Sequence, residues 1–191
     1  GSIPAGKARI QSTRSKKAYA RRPFRPSEGQ LAGLHRADDA LELKSSVALV
    51  VNQDTDEVLF EKNTHAVLPI ASITKLMTAY VVFGALRQKS IVPSQMVSVS
   101  ERAWRAEGSR MFIEPRKSVS VDELLHGMIV QSGNDASIAL AELVAGSEPA
   151  FVERMNQEAK RLGMASTQFV NATGLADPQH WSTAGDVATL A

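Results

Sequence analysis

The sequence predicts a domain that combines a β-hairpin with several short helices, and three observations carry that prediction. Ser46 to Val51 (S-V-A-L-V-V) is a β-rich run, and after a turn-like stretch Glu57 to Glu61 alternates again, which is a hairpin pattern. Ser120-Val121-Asp122-Glu123 is a capping box, the start signal of a helix. Gly146 and Gly163 each follow a helix-compatible stretch, where a helix is expected to stop.

In chain order, residues 1 to about 42 hold few apolar side chains and no sustained period. They read as a basic flexible extension with little structure of its own. Gly1-Ser2 looks like a remnant of tag removal. The ordered body is placed at 43–191, with strands at 46–51 and 57–61 around the turn Asn52–Asp56. Pro69 precedes a helix-compatible stretch from Ser72 to about Leu86. A helix from the capping box is expected to reach about Val130, where Gln131-Ser132-Gly133-Asn134 interrupts it. Asp135 is read as the cap of the next helix, through Ala145. Ser147 caps another, with Pro149 in its first turn. Thr167 to Val170 is read as a short strand, and Ser182-Thr183 as the start of a last helix.

Composition narrows the function classes. The chain has 191 residues, 43% of them hydrophobic, enough for one packed domain. There is no run of eighteen apolar residues, hence no encoded membrane span. The absence of cysteine rules out disulfides, thiolate nucleophiles and cysteine-type zinc sites. His35, His65, His126 and His180 show no ligand spacing, so no metal and no other cofactor is expected. Residues 1–30 carry eight Lys or Arg against Glu28 alone, a balance of +7; with +2 for the whole chain, the remainder is −5. A basic arm can meet an anionic surface. Neither aromatic interleaving nor a nucleic-acid motif accompanies this one, so no nucleic-acid partner is expected.

Ser72 and Lys75 are three apart near a helix start, which puts both side chains on one face. A serine hydroxyl is a weak nucleophile until a base takes its proton. A lysine becomes that base when burial lowers its pKa. Alone, S-x-x-K occurs by chance about once in a chain of this size. Ser132-Gly133-Asn134, between two helices, is ordinary turn chemistry taken alone. The combination and order carry the weight, because S-x-x-K followed by an S-D-N type motif marks penicillin-binding proteins and class A β-lactamases. Here the motifs stand in Pro69-Ile70-Ala71-Ser72-Ile73-Thr74-Lys75 and Gln131-Ser132-Gly133-Asn134-Asp135.

From about Ser46 to Ala191, the chain resembles the low-molecular-mass penicillin-binding proteins, the D-alanyl-D-alanine carboxypeptidase and endopeptidase family. The likeness extends to Ser109-Arg110-Met111-Phe112, Leu162-Gly163-Met164, Asn171-Ala172-Thr173-Gly174-Leu175 and Trp181-Ser182-Thr183-Ala184. It implies an α/β fold of the serine β-lactamase or DD-transpeptidase type: an antiparallel sheet flanked by helices, with a helical lobe across the cleft. Ser72 would start a buried central helix. Carried over by position, the resemblance implies that Ser72 attacks the D-Ala carbonyl and Lys75 takes its proton. Ser132 would relay a proton to the leaving amine. Asn134 would bind the acyl side chain and help hold Lys75, and the Ser72 N–H would be one oxyanion donor.

The implied partners are peptidoglycan stem peptides ending in D-Ala, and β-lactams, in the bacterial periplasm or at the outer membrane face. One departure stands out: no K-T-G, nor any Lys-Thr pair, follows Asn134. In the family that motif lies later, on a strand lining the cleft. The expectation is therefore a chain that lacks the C-terminal strands, with a missing segment or a separate C-terminal fragment completing the site and little activity without it.

Two rivals are weaker. A class A β-lactamase needs a glutamate in an E-x-x-L-N context. Glu148-Pro149-Ala150-Phe151-Val152 lacks the Leu-Asn and comes only 16 residues after Ser132. A non-catalytic penicillin-sensing or wall-binding domain would not need an intact Ser72 and Lys75. Met111, Met128 and Met155 read as core filling, Trp104 and Trp181 as packing, and His126 as a partly exposed structural histidine.

Overall fold

The computed structural model describes residues 24–191. The hairpin forms where it is expected. Strand β1 (Ala48–Val51) pairs antiparallel with β2 (Val58–Lys62), Ala48 opposite Lys62, with an irregularity between Val50 and Val51. Asn52 closes the turn: its Oδ1 accepts from the N–H of Asp54 at 2.9 Å and of Thr55 at 3.3 Å. A second antiparallel pair, β3 (Met96–Ser98) with β4 (Ser118–Ser120), has no counterpart in the sequence reading, because three residues are too few to show a period. The strand expected over 167–170 reduces to a single bridge, Gln168 to Trp181.

The basic extension needs correction. Residues 1–23 lie outside the described ones, but residues 27–43 are held in place. Helix α1 (Glu28–Leu31) carries a complete capping box from Ser27 and Gln30. Farther on, the Asp39 carboxylate meets Lys62 Nζ at 2.7 Å, with both side chains almost fully buried, and Lys62 also donates to the Leu43 carbonyl. The Lys62 hydrogen bond holds the Asp39 carboxyl below its ordinary value. The Asn63 amide donates to the carbonyls of Leu34 and Ser46. Low apolar content concealed this segment, since its anchors are polar groups far away in sequence.

Six further helices follow. They are α2 (Lys75–Arg87), α3 (Glu101–Trp104), α4 (Val121–Val130), α5 (Asn134–Ala145), α6 (Glu148–Arg161) and α7 (Ala184–Leu190). The Ser120–Glu123 capping box is present at α4, Ser147 caps α6 and Thr183 caps α7. Gly146 ends α5 in the left-handed region at φ 83°. The cap of α5 is Gly133, not Asp135. Asp135 is buried in the first turn, where its carboxylate accepts from the N–H groups of Met111 (3.0 Å), Ile113 (3.1 Å) and Ala136 (2.9 Å). It pins the loop before β4 onto the helix, and the positive helix end favours its charge.

The core is helical. Met77 and Val82 of α2, Leu124 and Met128 of α4, Ile138 and Leu140 of α5, and Phe151 and Met155 of α6 are buried together. Each is worth roughly 1.5–3 kcal/mol in area removed from water. The helix buried all round is α5, from Asn134 to Ala141. Helix α2 was expected in that place, but it buries one face only. Leu76 and Phe83, along its other side, remain exposed.

Candidate active site

Ser72 sits in a tight 3-10 turn, Ala71–Thr74, that feeds into α2. Ala71 has φ 46°, an unfavourable left-handed value for a residue with a Cβ. Gly174 lies against this peptide. A Cβ on Gly174 would collide with the Ala71 carbonyl, and its φ of 83° suits glycine in any case. The turn leaves the Ser72 side chain exposed, while Lys75 one turn on is buried at 7% exposure.

Lys75 Nζ donates to Ser72 Oγ at 3.3 Å and to the Thr173 carbonyl at 2.7 Å. Burial alone pulls the amine down to about 8. Roughly a tenth of it is then neutral at pH 7, against well under a thousandth at the ordinary value. The pair therefore supplies a hydroxyl open to a substrate and, behind it, an amine able to take its proton.

Ser132 and Asn134 form a corner at the head of α5. Ser132 has φ 55°, and its Oγ is buried with no hydrogen-bond partner among the described residues. The Asn134 Nδ2 donates to the Glu107 carbonyl at 2.7 Å, and its backbone N–H donates to the Ser109 carbonyl. Asn134 does not hold Lys75, as the resemblance had implied. The Thr173 carbonyl accepts from Lys75 in its place.

The first motif is held by the turn 171–175. Asn171 Oδ1 accepts from Thr173 N–H, Thr173 Oγ1 and Gly174 N–H, which aims the Thr173 carbonyl at Lys75. Thr78 of α2 donates to the Ala172 carbonyl at 2.8 Å. On the far side, a Cβ on Gly108 would stand 2.9 Å from Asn134 Nδ2 and 3.7 Å from the Leu175 side chain. The turn thus touches the Ser72 peptide and Lys75, and Gly108 stands between its Leu175 end and the Asn134 amide. Thr173 and Gly174 are the functional positions that residue-level reasoning missed. The only sequence signal was the run Asn171-Ala172-Thr173-Gly174-Leu175, and nothing local shows that a backbone carbonyl there is the partner of a lysine.

An exposed serine with a buried lysine of lowered pKa at its back is the equipment of an acyl-transfer site of the Ser–Lys kind, here on an α/β scaffold. The chain belongs to the D-alanyl-D-alanine carboxypeptidase family, whose model matches residues 34–191. It is 43% identical over 159 residues to D-alanyl-D-alanine carboxypeptidase DacF of Bacillus subtilis, a match covering 83% of this chain and 40% of that protein. Among solved structures it is similar to the D-alanyl-D-alanine carboxypeptidase DacD of Francisella tularensis. There the TM-score is 0.76 at 35% identity, covering 88% of this chain and 41% of the other. It is also similar to penicillin-binding protein D2 of Listeria monocytogenes in its ampicillin-bound form. That match has a TM-score of 0.67 at 32% identity, over 75% of this chain and 58% of the other. The chain spans about two fifths of the length of the curated relative it matches.

Proposed function

We propose that the protein carrying this chain hydrolyses the peptide bond next to D-alanine in peptidoglycan stem peptides. In this reading Ser72 Oγ attacks the D-Ala carbonyl and its proton passes to neutral Lys75. The tetrahedral intermediate collapses as the leaving amine gains a proton by way of Ser132. Water then hydrolyses the Ser72 ester. The Ser72 N–H is one oxyanion donor, and Asn134 borders the acyl side chain. A β-lactam enters the same route but leaves a slowly hydrolysed ester on Ser72, in line with a neighbour solved with ampicillin bound. The substrate places the protein in the bacterial periplasm or on the outer membrane face. Among the described residues, no helix is long and apolar enough to cross a membrane. Removing a terminal D-alanine and cutting a D-alanine cross-link use the same attack. Digestion of purified muropeptides separates them by whether pentapeptides or cross-linked dimers disappear.

The observation that carries this reading is the Lys75 amine, buried, 3.3 Å from Ser72 Oγ and lowered to about 8. Its neutral fraction grows with pH, so Ser72 acylation is expected to rise about tenfold from pH 6 to 7 and to level off above about 8. A flat profile between pH 6 and 8 contradicts the assignment of Lys75 as base. Stability follows the same group with a defined sign. The folded value lies below the unfolded 10.5, so the cost of burying the charge is complete below about 8. It is relieved as pH rises from there to 10.5, where the unfolded chain still holds the proton.

A further inference from the structure

We infer that His180 is a positioning residue for the Ser72–Lys75 pair, acting through Thr74; the inference rests on the reading of Ser72 as nucleophile. Thr74 lies between the two, and its side chain points the other way, fully buried. Its Oγ1 is 2.6 Å from His180 Nε2. The other ring nitrogen, Nδ1, accepts the Val170 N–H at 3.1 Å. A backbone amide can only donate, so Nδ1 carries a lone pair. The single proton of a neutral ring then sits on Nε2 and is donated to Thr74. Geometry therefore fixes both the tautomer and the neutral state, since a second proton would cost the Val170 bond. Burial also lowers the His180 pKa, with Asp177 opposing. The ring is 3% exposed and meets Phe169 edge-on at 5.6 Å between centroids.

What sets His180 apart from an ordinary core histidine is the pair of segments it joins. On one side is the turn that carries Ser72. On the other is Val170, next to Asn171, whose side chain shapes the turn offering the Thr173 carbonyl to Lys75. One ring thus clamps the hydroxyl-bearing turn to the loop that holds the amine. The 2.7 Å bond from Lys75 to the Thr173 carbonyl spans that clamp, and it sets the position of the amine that lies 3.3 Å from Ser72 Oγ. A shift of about 1 Å between reacting groups is enough to cost on the order of a hundredfold in rate.

The test uses the full-length protein and a fluorescent penicillin, with the non-covalent Kd and the acylation rate constant resolved by stopped flow. Thr74→Val removes the acceptor while keeping the volume. It is expected to lower the acylation rate constant roughly thirty- to a hundredfold with Kd unchanged. The pH midpoint is expected to move upward from about 8, as water reaches Lys75 and relieves the desolvation that lowers it. Thr74→Ser keeps the hydroxyl and is expected to stay within about threefold of the wild type. His180→Phe should match Thr74→Val, and the double variant should be no slower than the slower single one. A folded Thr74→Val protein with the wild-type rate and midpoint overturns the inference. So does a double variant whose losses multiply. If His180→Phe fails to fold, the Thr74→Val and Thr74→Ser pair decides. Nitrogen NMR of the His180 ring is expected to show the Nε2–H tautomer, and the Nδ1–H form would overturn the inference whatever the activity. A wild-type protein that is never acylated on Ser72 defeats the proposed function itself, while wild-type acylation with indifferent variants defeats only the clamp.

Discussion

The helical half and the hairpin half of this molecule are held together by different forces. Among the described residues, the buried apolar side chains all lie at or beyond Met77. The hairpin, by contrast, leaves Val50, Val58 and Leu59 about half exposed. Polar anchors hold it instead: the buried Asp39–Lys62 ion pair and the Asn63 amide on two carbonyls. A groove of about 940 Å³ also runs along this side, lined by Leu49, Val51, Ile73 and Val187, with Ser72 not in its wall. The candidate site straddles the seam. Lys75 and the Ser132–Asn134 corner rest on the packed side, whereas Ser72 stands on a strained turn at the boundary. The contrast shows that the base and the polar corner stand on helices seated by hydrophobic packing, with hydrogen bonds aiming their side chains. The nucleophile is fixed by backbone fit against the 171–175 turn.

That contrast can be broken by substitution. Phe151→Ala, in the middle of the helical core, is expected to cost about 3–5 kcal/mol in a urea titration with an unchanged m-value. A loss under about 1 kcal/mol would mean that the helical half is not the stable one. Gly174→Ala tests the seam. It forces a Cβ against the Ala71 carbonyl at a left-handed φ and is expected to cost about 2 kcal/mol. Acylation of Ser72 should fall tenfold or more, as measured with a fluorescent penicillin. Stability lost without a loss of acylation would separate Gly174 from the nucleophile. The smallest effect is expected from Leu59→Ala on the open hairpin, within about 0.5 kcal/mol by the same titration. A cost comparable to that of Phe151→Ala would show that the hairpin is packed after all.

The sequence revealed those parts of the fold whose signals are local. The Ser120–Glu123 box, the glycine stops and the Asn52 turn each act within a few residues, and each appears where expected. Ser72 and Lys75 were legible because one helical turn separates them. The features that escaped are long-range or carried by the backbone. Strands β3 and β4 are too short for periodicity. The Lys75 partner is a carbonyl 98 residues away, so the residue type there reveals nothing. Asp135 looked like a cap because aspartate at a helix start usually is one. Here a loop from elsewhere in the chain supplies the N–H groups it accepts.

The measurement that bears most directly on the central claim is peptide mass spectrometry of the full-length protein after exposure to benzylpenicillin. A single adduct with the mass of the intact drug is expected on the peptide containing Ser72, and none on a Ser72→Ala variant that retains its fold. A wild-type protein without an adduct, or an adduct that persists in Ser72→Ala, would contradict the assignment of Ser72 as the group that attacks.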